Sequence, residues 1–263
     1  MKYIAVIGCS FTAHDQAGED YPEQWNSWSQ HIAKDFPNVE VHNYGCSAMA
    51  TNYFETLLKS LANFKHYKYD AVIIQTSSPT RWALPLDTPT EHYIRYNDFW
   101  NTEVSFEEDI LVVEHETPTN IPNYKHMIDL TSVITFGGGV NETAQITGIR
   151  HNKAVDKKQL QYLNNLVWGG LPLTNIFYYN FLKTLPMYEK YFDRVFQFEM
   201  RSDQNNIGKD IGAFEMLEKS TTNISKYTRA KYDDPGHLNA DGNKLLYMLY
   251  IKHSAIGDWL HDQ

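Results

Sequence analysis

The stretch YIAVIG, residues Tyr3–Gly8, is a nearly uninterrupted apolar run near the start of the chain, and it decides the fold class. An apolar run of this length that ends in glycine is typical of a parallel strand buried on both faces. Two further strands are predicted at Val39–His42 and Ala71–Ile74, with helical spacing of apolar residues at Trp25–Phe36 and Thr51–Phe64 between them. Alternating strands and helices with short connections predict an α/β domain with a parallel, doubly wound sheet.

The regular alternation ends after the third strand. Residues 79–150 carry many Pro, Thr, Asn and Gly residues, and we expect a long insertion there that packs on the core, with Ile110–Val113 as one further strand. Helical spacing returns between Asp156 and Tyr191, and Arg194–Phe198 is a predicted fourth strand. Because no stretch has the composition of a linker, residues 1–263 are predicted to form one domain.

A last amphipathic helix is predicted near the end of the chain, capped by Asn239 or Asp241. Its apolar residues are spaced to face the core: Leu245, Leu246, Leu249, Ile256 and Leu260.

Composition excludes several classes of function. Of the 263 residues, 42% are apolar and 21% charged, which is ordinary for a globular protein. A formal net charge of −9 argues against nucleic acid and against an anionic membrane surface as partners. No stretch approaches the roughly 18 apolar residues of a membrane span. The apolar run at Tyr3–Gly8 is too short for a signal peptide, so we expect a cytoplasmic protein.

Cysteine and histidine usage predicts neither a disulfide framework nor a metal centre. Cys9 and Cys46 are too few for either and are expected to be reduced thiols. The histidines show neither H-x-H nor H-E-x-x-H spacing, so no metal is expected.

Two predicted strands end in residues suited to acyl transfer. Ser10 follows the first strand, at the carboxyl edge where open α/β sheets bind ligands, and a serine in that turn is well placed for nucleophilic attack. Gly45 follows the second strand, where glycine lets the backbone N–H approach a ligand as an oxyanion donor. Each of these positions also fits an ordinary turn between a strand and a helix.

The strongest chemical signal is Asp234-Pro235-Gly236-His237. Pro and Gly at its two central positions predict a type II turn, whose ends lie within about 7 Å of each other. The Asp234 carboxylate can then hold the tautomer of His237 in which Nδ1 carries the proton, and Nε2 can accept the proton of a serine hydroxyl. The sequence therefore predicts Ser10 as nucleophile, His237 as base and Asp234 as orienter.

Three motifs resemble the conserved blocks of the SGNH (GDSL-like) hydrolase family. Gly8–Thr12 (GCSFT) is similar to the first block, with Cys9 in place of the usual Asp, and Asn43–Ser47 (NYGCS) is similar to the second. Asp234–Gly242 looks like the last block, D-x-x-H-x-N/S-x-x-G. The resemblance implies a flavodoxin-like, three-layer α/β/α sandwich with a parallel sheet of about five strands. It also implies that the amides of Ser10 and Gly45 are oxyanion donors.

The third block departs from the family pattern. The family carries G-x-N-D after the third strand, with the Asn side chain as a third oxyanion donor, whereas this chain reads QTSS at Gln75–Ser78. Either a hydroxyl of Thr76, Ser77 or Ser78 substitutes, since each has a donor O–H, or another loop supplies the donor, or the enzyme is slow.

The segment that follows supplies candidate substrate-binding residues. It resembles a variant block of divergent, often phage-encoded, SGNH-like proteins. Arg81 and Trp82 would then lie at the mouth of the crevice, where they are candidates to bind an acidic or saccharide group, but an Arg stacked on a Trp for structural reasons is the favoured explanation of the pair.

The predicted activity is hydrolysis of a carboxyl ester through an acyl-enzyme, without a cofactor. The expected substrate is a small molecule or carbohydrate that carries an O-acyl group such as acetate. An acyltransferase with the same site is one alternative, and a catalytically weakened binding or structural module, virion-associated if phage-encoded, is another. Cys9 as nucleophile is disfavoured, because successive side chains of a strand point to opposite sides.

Overall fold

A computed structural model of the chain describes residues 1–9, 11–12, 27–45, 51–63, 68–76, 82–93, 102–107, 110–115, 129–136, 147–149, 155–156, 173–200, 212–229 and 234–262. The strands, in chain order, are β1 (Lys2–Ile7), β2 (Val39–Asn43), β3 (Ala71–Thr76), β4 (Trp82–Tyr93), β5 (Thr102–Glu107), β6 (Ile110–His115), β7 (Asp129–Phe136), β8 (Thr147–Ile149), β9 (Val155–Asp156), β10 (Arg194–Glu199), β11 (Thr228–Arg229) and β12 (Asp234–Leu238). The α-helices are α1 (Trp28–Asp35), α2 (Thr51–Ala62), α3 (Leu173–Thr184), α4 (Ala213–Ser220), α5 (Ala240–Leu246) and α6 (Ala255–His261). Short 3₁₀ helices cover Leu185–Lys190 and Ile224–Tyr227, and Tyr247–Ile251 forms a π-helical turn.

The central sheet has the order β10-β3-β1-β2, and all its described pairings are parallel. This confirms the prediction of an α/β fold built on a parallel sheet, with β10 as the predicted fourth strand. In the register, Ile4 of β1 is paired with Val41 of β2 and with Ala71 of β3. Because the strands are parallel, their carboxyl ends meet at a single edge.

Apolar side chains from β1 and β3 enter different clusters on the two faces of the sheet. Ala5, Ile7, Val72 and Ile74 belong to the cluster that contains the α2 and α3 side chains Phe54, Leu57 and Phe181. Ile4, Val6, Ala71 and Ile73 belong to the cluster with α1, α4 and α5, which includes Trp28, Ile32, Phe214 and Leu246. Burial on both faces explains why β1 and β3 read as continuous apolar runs rather than as alternating patterns.

The segment after β3 holds more strand than the sequence analysis predicts. One strand is expected at Ile110–Val113, and β6 covers it, but β4, β7 and β8 form one antiparallel sheet and β5, β6 and β9 another. Polar, proline-containing strands such as β4 lack the apolar runs that identify the central strands, so their pairing is hard to read from sequence.

The predicted last helix is two helices separated by a π-helical turn. Leu246, Ile256 and Leu260 are buried as expected, whereas the side chain of Leu249 is 41% exposed, so its predicted core position is wrong. The π-turn at Tyr247–Ile251 accommodates an additional residue per turn and shifts the helical phase, and Ser254 then caps α6 by accepting the Ile256 N–H.

Within the described ranges, no helix is both long enough and apolar enough to cross a bilayer.

Candidate active site

The carboxyl edge of the central sheet gathers the chain segments that the sequence analysis singles out. Gly8–Thr12 follows β1, Tyr44 and Gly45 follow β2, and β3 ends at Gln75 and Thr76. The neighbouring strand β10 ends at Glu199. This edge is where ligands bind in open parallel sheets, so its polar contacts decide what the site can do.

A tight turn follows β1. The Thr12 N–H donates to the Cys9 carbonyl oxygen at 2.9 Å, which closes the chain between these two residues. Gly8 is required just before the turn, because a Cβ at this position would lie 2.2 Å from Thr12 Oγ1. The predicted nucleophile, Ser10, lies outside the described residues.

Gln75 holds this turn from the neighbouring strand. Its Oε1 accepts the Cys9 N–H at 3.1 Å and the Thr12 hydroxyl at 3.0 Å, and the Cys9 thiol lies 3.3 Å from the same oxygen. Its Nε2 donates to the Thr76 carbonyl oxygen at 2.6 Å. The Gln75 side chain is 0% exposed, so the amide serves the interior of the protein and does not face a substrate.

Cys9 is 2% exposed, and its Sγ faces the Gln75 amide. A buried thiol whose Sγ faces an amide of the protein interior is poorly placed to attack a substrate.

Asn43 connects the end of β2 to the turn after β1 and to the first turn of α1. Its Nδ2 donates to the Thr12 carbonyl oxygen at 2.5 Å and to Ser29 Oγ at 2.9 Å. Its Oδ1 accepts the Gly45 N–H at 2.7 Å. The amide predicted to be an oxyanion donor is thus hydrogen-bonded to Asn43 in this structure, and an oxyanion would have to share it in a three-centre bond or replace that contact.

The Thr76 hydroxyl is directed away from the β1 turn and toward β10. It donates to the Phe198 carbonyl oxygen at 3.2 Å and lies 3.3 Å from the Tyr178 hydroxyl, with the Thr76 side chain 2% exposed. Of the three hydroxyls predicted to replace the missing oxyanion donor, that of Thr76 is therefore already engaged in the interior. Ser77 and Ser78 lie outside the described residues.

A buried tyrosine and a carboxylate meet beside Thr76. The Tyr178 hydroxyl donates to Glu199 Oε1. Burial, followed by the hydrogen bond to Glu199, raises the pKa of Tyr178 far above its usual value, so this hydroxyl keeps its proton. The pair links α3 to the end of β10 at the same edge of the sheet.

His237 projects from a bulge in β12. Thr228 and Arg229 are neighbours in β11, but their partners in β12 are Leu238 and Asp234, so Pro235–His237 bulge out of the ladder. Asp234–His237, predicted as a type II turn, thus lies within a strand, and the two ends of the bulge, Asp234 and Leu238, are paired with adjacent residues of β11. The Asp234 backbone begins β12, while its side chain lies outside the described part of the chain.

The His237 ring reaches the turn after β1. Its centroid lies 5.0 Å from that of Phe11, with the two ring planes inclined by 33°. Phe11 also makes an edge contact with Phe214 at the start of α4, at 6.3 Å between centroids. His237 is half-buried, and its contact with Phe11 brings an imidazole from the last predicted block to the sequence neighbour of Ser10.

The remaining residues of the last block hold the bulge in place. Asn239 caps α5 by accepting the Gly242 N–H at 2.9 Å, which confirms one of the two predicted caps. Its Nδ2 donates to the carbonyl oxygens of Lys226 at 2.8 Å and Thr228 at 3.1 Å. Gly242 permits this approach, because a Cβ there would lie 2.0 Å from the Tyr227 carbonyl oxygen.

The candidate substrate-binding residues are not located by the structure. Arg81 lies outside the described residues, and the Trp82 backbone begins β4 while its side chain lies outside them. Among the described residues, no group of three or more His, Cys, Asp or Glu side chains is arranged to hold a metal ion.

Sequence reasoning missed Gln75 as a member of the site. Gln75 stands at the start of the block that departs from the family pattern, and a polar side chain at the end of the apolar run AVII signals a buried hydrogen-bonding role.

Comparison with known proteins adds no family assignment. No protein-family model matches the chain, and no curated protein matches it significantly.

Proposed function

We propose that this protein is a serine-dependent carboxyl-ester hydrolase of the SGNH type. The observation that carries the proposal is the contact between Phe11 and His237, at 5.0 Å between ring centroids. It brings the imidazole of the candidate base to the residue next to Ser10, although the two lie at opposite ends of the sequence. A histidine within reach of a serine hydroxyl is the basic requirement of this chemistry.

The proposed reaction has two half-reactions. His237 takes the proton of the Ser10 hydroxyl as Ser10 Oγ attacks the acyl carbonyl, and the Ser10 and Gly45 amides stabilise the oxyanion. Collapse of this intermediate breaks the bond to the alcohol, which leaves with the proton from His237. Water, deprotonated by the same imidazole, then attacks the acyl-enzyme, and His237 returns that proton to Ser10 Oγ as the acyl–oxygen bond breaks and the acid is released. Asp234 orients the ring throughout, and no cofactor takes part.

The proposed substrate is a small O-acyl group, such as acetate, on a carbohydrate. The proposed architecture is a three-layer α/β/α sandwich of about five parallel strands, one domain over residues 1–263, with residues 79–150 as an insertion. The two apolar clusters on opposite faces of the four-stranded sheet support this layered arrangement. Cytoplasmic or virion-associated localisation stays a prediction from the sequence.

Labelling with a fluorophosphonate probe tests the proposal. Wild-type protein and Cys9→Ala should both be labelled, and Ser10→Ala should not, with circular dichroism to verify that each variant is folded. Labelling that persists in Ser10→Ala would exclude Ser10 as the labelled nucleophile. An unlabelled, folded wild-type protein would contradict the esterase proposal and favour a non-catalytic module.

Replacement of the orienting carboxylate gives a second test. Asp234→Asn should reduce turnover by up to about 10⁴-fold, because the amide favours the wrong tautomer of the base. Asp233→Asn is the matched control and should retain activity. The opposite ranking of the two variants would assign the orienting role to Asp233.

A further inference from the structure

We infer that Gln75 is the positioning residue for the nucleophile, and that it supplies from β3 a buried hydrogen-bond acceptor for the turn after β1. This inference rests on the proposed function, since it concerns how Ser10 is held for attack. Gln75 does not touch the substrate or the reacting atoms, and it acts through the turn.

The hydrogen bonds to Gln75 bracket the nucleophile on both sides. Cys9 immediately precedes Ser10 and donates its N–H to Gln75 Oε1 at 3.1 Å. Thr12 lies two residues after Ser10 and donates its hydroxyl to the same oxygen at 3.0 Å. A single buried acceptor therefore fixes the two ends of the short segment that carries the serine, while the Thr12 N–H closes that segment on the Cys9 carbonyl oxygen.

The residue at position 9 does not compete with Gln75 as an acceptor. A cysteine thiol is a weak donor and a weak acceptor. In this chain the Cys9 thiol lies 3.3 Å from Gln75 Oε1, where it acts as a third donor to the same oxygen.

The other half of the amide holds the acceptor in place. Gln75 Nε2 donates to the Thr76 carbonyl oxygen at 2.6 Å, which sets the orientation of the side chain and directs Oε1 toward the turn. Gly8 makes room for this arrangement, because a Cβ at position 8 would lie 2.8 Å from Gln75 Oε1. The amide thus needs both its acceptor and its donor, a requirement that glutamine meets and glutamate meets only when protonated.

Two substitutions at Gln75 separate this role from simple packing. Gln75→Met keeps the length of the side chain and removes the acceptor and the donor. Gln75→Glu keeps the acceptor at every pH but can donate to Thr76 only while the introduced carboxyl is protonated. The matched control is Gln197→Met, which alters an exposed glutamine on β10 whose Nε2 contacts Thr76 Oγ1 at 3.3 Å.

The first readout is the rate at which the fluorophosphonate probe labels Ser10. We expect Gln75→Met to reduce this rate about 10- to 100-fold, as when a reacting group moves by roughly 1 Å, with little change in KM for a chromogenic ester. Gln197→Met should label at the wild-type rate. Wild-type labelling in a folded Gln75→Met variant would overturn the inference.

The pH dependence of Gln75→Glu keeps the inference testable if Gln75→Met does not fold. Burial favours the neutral carboxyl, which reproduces both halves of the amide. The labelling rate of Gln75→Glu, divided by that of wild type at the same pH, should therefore fall as the pH rises from 5 to 8. A ratio that does not change with pH would contradict the positioning role.

A third readout does not involve Ser10 and separates failure of this inference from failure of the proposed function. Alkylation of Cys9 by iodoacetamide under native conditions, resolved from Cys46 by peptide mapping, should be about tenfold faster in Gln75→Met, because roughly this factor corresponds to one lost hydrogen bond. If wild type is not labelled at Ser10 but Cys9 becomes reactive in Gln75→Met, the esterase proposal fails. The conclusion that Gln75 restrains the turn after β1 is then retained. Unchanged Cys9 reactivity in both Gln75 variants would show that Gln75 does not restrain the turn after β1.

Discussion

The rings of Phe11 and His237 lie 5.0 Å apart and join the turn after the first strand to the bulge of the last. The contact is made by side chains that differ in role: Phe11 is an apolar neighbour of the candidate nucleophile, and His237 is the candidate base. The position of the imidazole therefore depends on its packing against Phe11.

Replacement of Phe11 should impair catalysis more than it impairs folding. Phe11→Leu retains apolar packing against Phe214 but removes the ring contact that limits the movement of His237. We expect a loss of about tenfold in kcat/KM and a loss of about 1 kcal/mol in the free energy of unfolding, the typical range for an aromatic pair. Ester hydrolysis and urea denaturation measure the two effects. A fall in stability without a fall in kcat/KM would show that the contact is only structural.

Removal of the hydroxyl of Thr76, the last residue of β3, should affect stability, whereas removal of the hydroxyl of Ser77 should affect catalysis. Thr76→Val removes a buried donor to the Phe198 carbonyl oxygen and should lower the free energy of unfolding by about 1–3 kcal/mol, with kcat nearly unchanged. Ser77→Ala should leave stability unchanged and reduce kcat by about 10²-fold if its hydroxyl is the third oxyanion donor. Steady-state kinetics on the folded variants decide between them. A large loss of kcat in Thr76→Val alone would return the role to Thr76.

Gly242 should not tolerate a side chain. Gly242→Ala places a Cβ against the Tyr227 carbonyl oxygen, at 2.0 Å before any relaxation, and should cost about 3 kcal/mol or more of stability. Asp241→Ala, at the neighbouring exposed position of α5, is the control and should cost about 0.5 kcal/mol. Equal denaturation midpoints for the two variants would show that α5 can move away from Ile224–Tyr227 at little cost.

His31 should contribute a pH-dependent term to stability. Burial, followed by the nearby Lys34 and Lys244, lowers the pKa of His31 below 6.5, while Asp35 acts in the opposite direction. Between the lowered pKa and 6.5 the unfolded chain binds more protons than the folded protein, so the free energy of unfolding rises with pH across this window. His31→Phe retains stacking on Tyr247 and should flatten that rise in urea denaturation between pH 5 and 7. A slope equal to that of wild type would exclude His31 as its source.

Sequence predicts the central sheet well because each of its strands carries its own signal. The runs at β1 and β3 are apolar since both faces of the sheet are covered, and no partner has to be known to recognise them. The two antiparallel sheets between β4 and β9 depend on pairing between segments, which a single segment does not reveal. The outward position of Leu249 likewise follows from a π-turn that hydrophobic periodicity does not encode.

The residues of the candidate site likewise differ in how far the sequence alone reveals their roles. Asn239 and Gly242 are readable because capping and close approach demand particular residue types at a fixed spacing. A buried hydrogen-bonding role for Gln75 can be inferred from its position after an apolar run, but its partners cannot, because they depend on which strand lies beside β1 and on which atoms face each other there. The sequence motifs thus identify candidate reacting groups more readily than the residues that hold them.

The bulge of β12 also bears on how the protein folds. His237 can contact Phe11 only after the two ends of a loop that contains most of the chain have come together. Closing this loop has an entropic cost that local structure does not offset. Helices and the contacts within β1, β2 and β3 can form before that event. Refolding followed by far-ultraviolet circular dichroism should therefore run ahead of the recovery of Ser10 reactivity, and the delay between the two measures the docking of the last strand.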